Sequence, residues 1–188
     1  MRKFVKRTLL IVAVLTTVLA LTSCQWVFGL FNKFWLDELD YEIERLVVHE
    51  VASNGDGSFQ VDVYMLTGDV DFDRHVAGPY PLDGFGHVVR LTLNSPASDI
   101  REGDYDWDPA GGEYTVESGV IVINGNYEDG TRTDEESVFI VEDGTVWVSE
   151  ALFDNLVIDF ELDTIEANTR EAADADGHFR GEYEVEQG

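Results

Sequence analysis

The chain has 188 residues, 38 of them Asp or Glu and only 12 Lys or Arg, for a formal net charge of −26. Such an excess of acid repels phosphate backbones and excludes nucleic acid as a partner. Hydrophobic residues at 44% and aromatics at 12% are too plentiful for a disordered acidic tail, so the acid coats a folded body.

The N-terminus carries its own logic. Arg2, Lys3, Lys6 and Arg7 precede an apolar run from Leu9 to Leu21, followed by Leu21-Thr22-Ser23-Cys24. Basic residues stay on the cytoplasmic side, the run has signal-peptide length, and small residues precede the cut. The pattern resembles the lipobox of bacterial lipoproteins, and the resemblance implies that residues 1–23 are removed and that Cys24 is lipidated as the mature N-terminus. Gln25 stands where, in that family, Asp would block outer-membrane delivery. The expected address is therefore the cell envelope, lipid-anchored, on the outer membrane of a two-membrane cell. Cys24 is the sole cysteine, so no internal disulfide is expected. Beyond residue 23, eight basic residues face 38 acidic ones and Lys33 is the one lysine. That surface resembles those of proteins from saline habitats; a cation-binding surface is the other reading.

Residues 24–40 form the expected tether. Trp26, Phe28, Phe31, Phe34, Trp35 and Leu39 fall near helical spacing, which predicts a short helix. Such a helix either caps the open end of a β domain or lies in the membrane interface, with Trp26, Phe28, Phe31 and Trp35 as contacts.

From residue 41 to 188 the period is two, and a single β domain is expected. Phe59, Val61, Val63 and Met65 alternate with Gln60, Asp62 and Tyr64. Val89, Leu91 and Leu93 alternate with Arg90 and Thr92, Leu156 to Leu162 with Asp159 and Glu161, and Phe179, Tyr183 and Val185 with Arg180, Glu182 and Glu184. Each of these predicts a strand with one wet face. Val120–Ile123 and Val138–Val141 are apolar on both faces and belong centrally. Tyr41–Ala52 and Thr145–Val148 complete about eight strands. Asn54-Gly55-Asp56-Gly57, Asp129-Gly130 and Asp143-Gly144 predict hairpin turns. The expected fold is an antiparallel meander forming a sandwich or barrel. Gly68–Phe85 and Ser95–Gly112 read as the loops of one rim, and Asp163–Gly177 as a third irregular stretch with a helical turn around 166–173.

Gly103-Asp104-Tyr105, Gly112-Glu113-Tyr114, Gly125-Asn126-Tyr127 and Gly181-Glu182-Tyr183 repeat a Gly-polar-Tyr triplet without fixed spacing. With the hairpin signals among them, residues 86–188 look similar to β-rich lipoproteins of Bacteroidetes-type bacteria, a group that brings no activity to carry over.

Two alternating carboxylate runs invite calcium, which takes hard oxygen ligands: Asp69, Asp71 and Asp73, and Asp104, Asp106 and Asp108. On an extended strand same-face residues stand about 6.6 Å apart, so either run must curl to hold an ion. Tyr80, Tyr105 and Trp107 are the candidate ligand-binding aromatics; for Trp107 and Trp147 a place in the core is the competing role. His49, His75, His87 and His178 show no zinc spacing, and no nucleophile elbow or phosphate-cradling loop is present. The reading is an envelope binding module for a glycan, peptide or cation rather than an enzyme. A structural envelope lipoprotein is the alternative, and a carboxylate- or metal-dependent hydrolase comes third.

Overall fold

The structure, a computed structural model, describes residues 32–186 except 55–56, 74, 76–80 and 152–154. Among the described residues there is no helix. Thirteen strands are present: β1 (Lys33–Leu36), β2 (Leu39–Glu42), β3 (Arg45–Ser53), β4 (Phe59–Leu66), β5 (Asp71–Phe72), β6 (Leu82–Ser95), β7 (Gly103–Trp107), β8 (Thr115–Glu128), β9 (Thr131–Asp134), β10 (Ser137–Ala151), β11 (Asn155–Glu166), β12 (Ala172–Gly181) and β13 (Glu184–Glu186). The hydrogen-bonded path runs β13-β3-β4-β6-β8-β7-β10-β11-β12-β1-β2, with β5 on β6 and β9 on β8. It is one open, mixed sheet and not a closed barrel. The expected eight-strand antiparallel meander is thus corrected in count and in direction, because β13 runs parallel to β3 and β7 parallel to β8.

The sheet nevertheless rolls. β2 ends the path and β3 lies one strand in from the other end, yet only Ile43 and Glu44 connect them, and only Glu182 and Tyr183 carry the chain from β12 to β13. Links of two residues reach about 10 Å, so the two ends lie side by side. Backbone bonds mark the seam: Ile43 N–H donates to Asn32 (2.7 Å) and Glu44 N–H to Leu66 on β4 (2.9 Å). One apolar cluster fills the inside of the roll, drawing Phe34 from β1, Val48 from β3, Val63 from β4, Leu91 from β6, Ile121 from β8, Val146 from β10, Phe160 from β11 and Phe179 from β12.

The helix expected over residues 24–40 is absent from its described part: residues 33–36 and 39–42 form a hairpin. Phe34 and Leu36 point inward while Trp35 points out, so burial follows a period of two that the denser aromatic spacing masked. Residues 24–31 lie outside the described region. Asp37 makes the two-residue turn with φ 53°, a left-handed conformation that Asp tolerates. The stretch expected to be irregular over 163–177 is corrected to the facing ends of β11 and β12, and of the helical turn expected over 166–173 a single i to i+4 bond is present, Arg170 N–H donating to the Glu166 carbonyl (2.9 Å).

Asp129-Gly130 makes the expected hairpin, with φ of 47° and 73° between the paired Glu128 and Thr131. Asp143-Gly144 does not. β10 continues through it, with a register shift between Val141 and Asp143 against β11. Before this bulge, Ser137–Ile140 pairs with β8; after it, Thr145–Val148 pairs with β7. The bulge bends β10 away from β8, and β7 fills the gap. Gly144 is required there: its φ is 137°, and a Cβ would lie 2.3 Å from the Glu161 carbonyl oxygen.

Gly68–Phe85 and Ser95–Gly112 do not share a rim. They lie at the two ends of β6, separated by about 33 Å of strand between Phe85 and Ser95. The first folds back over the outside of the roll, where Val70 and Leu82 join Val47, Tyr64, Leu66, Val88, Val122 and Tyr127 in a second cluster. This cover removes the wet face expected for β4. Asp62 is only 2% exposed, and its carboxylate accepts bonds from Arg90 Nη2 (2.6 Å) and Nε (3.1 Å), Thr92 Oγ1 (2.6 Å) and the Tyr64 hydroxyl (3.2 Å). The charge is buried because it is paired and saturated. Val138–Val141, expected to be covered on both faces, departs in the opposite sense: Ile140 on β10 is 44% exposed.

Candidate ligand-binding face

β11 and β12 alternate strictly. Leu156, Ile158, Phe160 and Leu162 enter the core, as do Ala173, Ala175 and Phe179. Their other residues face out, and at Asp159, Glu161 and Asp163 of β11 and at Asp174 and Asp176 of β12 the outward residue is an acid. The register sets them in cross-strand rows: Asp143, Asp163 and Asp174 in one; Asp106, Thr145, Glu161, Asp176, Trp35 and Asp40 in the next; Asp104, Trp147, Asp159, His178, Lys33 and Glu42 in the third. Glu161 thus stands directly opposite Asp176, and Asp163 opposite Asp174. Like charges in such positions repel and destabilise the pair.

The bulge turns this face into a cleft of about 500 Å³, lined by Asp143, Gly144, Thr145, Trp147, Glu161, Leu162, Asp163, Asp174 and Asp176. Trp147 is half-buried, flanked across the ladders by Asp104 and Asp159. Two basic side chains of the face have carboxylate partners on it. Lys33 pairs with Asp40, whose hydrogen bond and charge raise the ammonium's pKa while its own falls, and His178 Nδ1 lies 2.6 Å from Asp159. The cleft carboxylates are hydrogen-bond acceptors beside an aromatic surface, an arrangement suited to a ligand rich in positively charged donors.

The carboxylate runs singled out in the sequence do not converge. Asp104 and Asp106 lie on extended β7, Asp106 accepting from Thr145 Oγ1 (3.0 Å), while Asp108 turns back to accept from Ala110 N–H (2.9 Å). Asp71 pairs with Arg45, Asp73 accepts from His75 N–H (2.8 Å), and Asp69 is exposed at the turn before β5. Among the described residues, no group of three or more His, Cys, Asp or Glu is placed to hold a metal ion. Strand pairing keeps the β7 acids extended, so Asp104 and Asp106 do not curl toward a common point.

Tyr105 is also corrected as a ligand contact. It is fully buried, its hydroxyl donating to the Arg101 carbonyl (2.8 Å) and accepting from the Arg101 N–H (3.2 Å), and burial raises its pKa. Trp107 packs partly buried against the core. Trp35 is 38% exposed on the acidic face, between Asp176 and Asp40. Tyr80, Cys24, Trp26, Phe28 and Phe31 lie outside the described residues. No motif marks the cleft acids Glu161, Asp163, Asp174 and Asp176 in the sequence; the signal that finds them is the pairing of 155–166 with 172–181 as one hairpin, which sets them side by side.

No family model matches the chain, and no curated protein and no solved structure matches it.

Proposed function

We propose that this chain is a lipid-anchored, exported binding module whose acidic cleft holds a cationic ligand, a peptide segment bearing Lys or Arg side chains. The observation that carries the reading is the opposition of Glu161 to Asp176 and of Asp163 to Asp174 beside Trp147. Unrelieved carboxylate pairs cost stability, and a bound cation relieves them while stacking on the indole. Trp35 and Asp40 extend the same face toward β2. The anchoring part of the proposal rests on the basic start, the apolar run and Cys24.

Titration of Trp147 fluorescence with an Arg/Lys-containing peptide tests the ligand class, with a neutral oligosaccharide and calcium chloride as the other arms. Binding to the peptide should weaken steeply with salt and fall at least tenfold in Asp163→Asn/Asp174→Asn. Saturation by the oligosaccharide or calcium, with no response to peptide, would overturn the class. Metabolic labelling with a fatty-acid analogue tests the anchor: Cys24→Ala should abolish incorporation.

A further inference from the structure

His87 joins four parts of the fold near the seam. Its ring packs edge-on against Tyr41 of β2, with centroids 4.6 Å apart and planes at 61°, and Tyr41 stacks on Phe34 of β1 at 4.8 Å. Its Nδ1 accepts a hydrogen bond from the backbone N–H of Asn124 on β8 at 3.1 Å. Asn124 has φ 51°, and its side-chain amide donates to Glu136, just before β10, at 2.6 Å. The backbone of His87 exchanges bonds with Thr67, in the segment leaving β4: His87 N–H donates to Thr67 Oγ1 and Thr67 N–H to the His87 carbonyl, each at 3.1 Å.

A neutral imidazole offers one acceptor nitrogen, and here Nδ1 is that acceptor, so the single ring proton belongs to Nε2. A second proton has to enter at Nδ1. There it faces the Asn124 N–H, donor against donor, and the contact cannot survive.

We propose that His87 is a proton-operated latch between the β1–β2 hairpin and the β6–β8 rim, whose protonation breaks the Asn124 bond, loosens the Tyr41 packing and opens the seam in mild acid. The groups facing the ring are Tyr41 from β2, Asn124 from β8, Thr67 from the segment after β4 and Glu136 from the turn before β10. Glu136 carries charge and favours the imidazolium, but burial outweighs it and holds His87 below the ordinary histidine value. The unfolded or opened chain therefore takes up the proton first. The latch is intact above about pH 6.5 and is lost as pH falls through the lower value of the folded state. The hairpin also carries Trp35 and Asp40, so opening displaces one border of the acidic face, whatever that face binds.

Hydrogen exchange of the intact protein in detergent micelles, corrected for intrinsic pH dependence, tests the latch. Segments 39–44 and 120–127 should lose protection at least tenfold between pH 7.5 and 5.5 in the wild type. They should lose none in His87→Asn, whose side-chain carbonyl accepts from Asn124 without titrating. Equal loss in both proteins, or no loss in the wild type, overturns the proposal. Should the variant not fold, nitrogen-15 spectra of the histidine-labelled wild type decide: an Nε2–H tautomer at pH 7.5 supports the latch, and an Nδ1–H tautomer overturns it.

Discussion

Glu161 on β11 and Asp176 on β12 stand directly opposite each other in the ladder, both exposed, both on the cleft side of the sheet. Removing one charge from this pair should stabilise the free protein by about 0.2–1 kcal/mol. Glu161→Gln is accordingly expected to raise the denaturation midpoint at low salt and to lose its advantage at 1 M salt, where the Debye length is about 3 Å. The same substitution should weaken peptide binding at the cleft. A lowered midpoint at low salt would show that the glutamate has a stabilising partner in the fold.

The Asp62 network should respond in the opposite sense. Asp62→Ala leaves the Arg90 guanidinium, which also lies 5.7 Å over the Tyr64 ring, without its buried counter-charge. The expected loss is about 3 kcal/mol, at the low end for a broken buried pair because Arg90 is partly exposed. Thr92→Val, which removes one bond, should cost about 1 kcal/mol. Urea unfolding of both variants measures the two values.

Gly144→Ala should destabilise by about 2 kcal/mol, since it forces a side chain into a backbone conformation few residues adopt and sets a Cβ against the Glu161 carbonyl. The bend of β10 shapes the cleft, so Trp147 fluorescence should shift as well. Unchanged emission together with wild-type stability would mean that the bulge accommodates a side chain.

At high pH one buried and two partly buried phenols set the limit. Tyr41, Tyr105 and Tyr183 all have raised pKa values, burial being the leading cause in each, with the charges of Asp99 and Glu150 adding at Tyr183. The unfolded chain releases these protons near pH 10 while the folded one retains them. Their contribution is therefore complete below about pH 10 and declines as pH rises through the folded values. Tyr105→Phe should cost about 1 kcal/mol at pH 7 through its lost hydrogen bonds, yet move the midpoint of alkaline unfolding upward. Circular dichroism across pH 9–12 reads both effects.

Several features of this fold were legible locally. The alternation from Leu156 to Leu162 correctly assigned the inner face of β11, because a strand's two faces are set by residue parity alone. Asp129-Gly130 declared its hairpin because two consecutive positive φ angles suit that dipeptide. The mainly β class followed from the same signals. Long-range pairing decided the rest. Asp143-Gly144 has the same local chemistry as Asp129-Gly130, but the ladder resumes on both sides of it, with Val141 on Thr164 and Thr145 on Glu161, so the freedom of the glycine makes a bulge instead of a turn. Asp62 carries the alternation of a solvent-facing residue and is buried, because Arg90 and Thr92 from another strand saturate it. The acids of the cleft show the division most plainly. Parity put Glu161 and Asp176 on the outer faces of their strands, but whether they meet each other or a basic residue depended on register: a shift of two residues would set Glu161 opposite His178, and a shift of one would turn the acids to the other face.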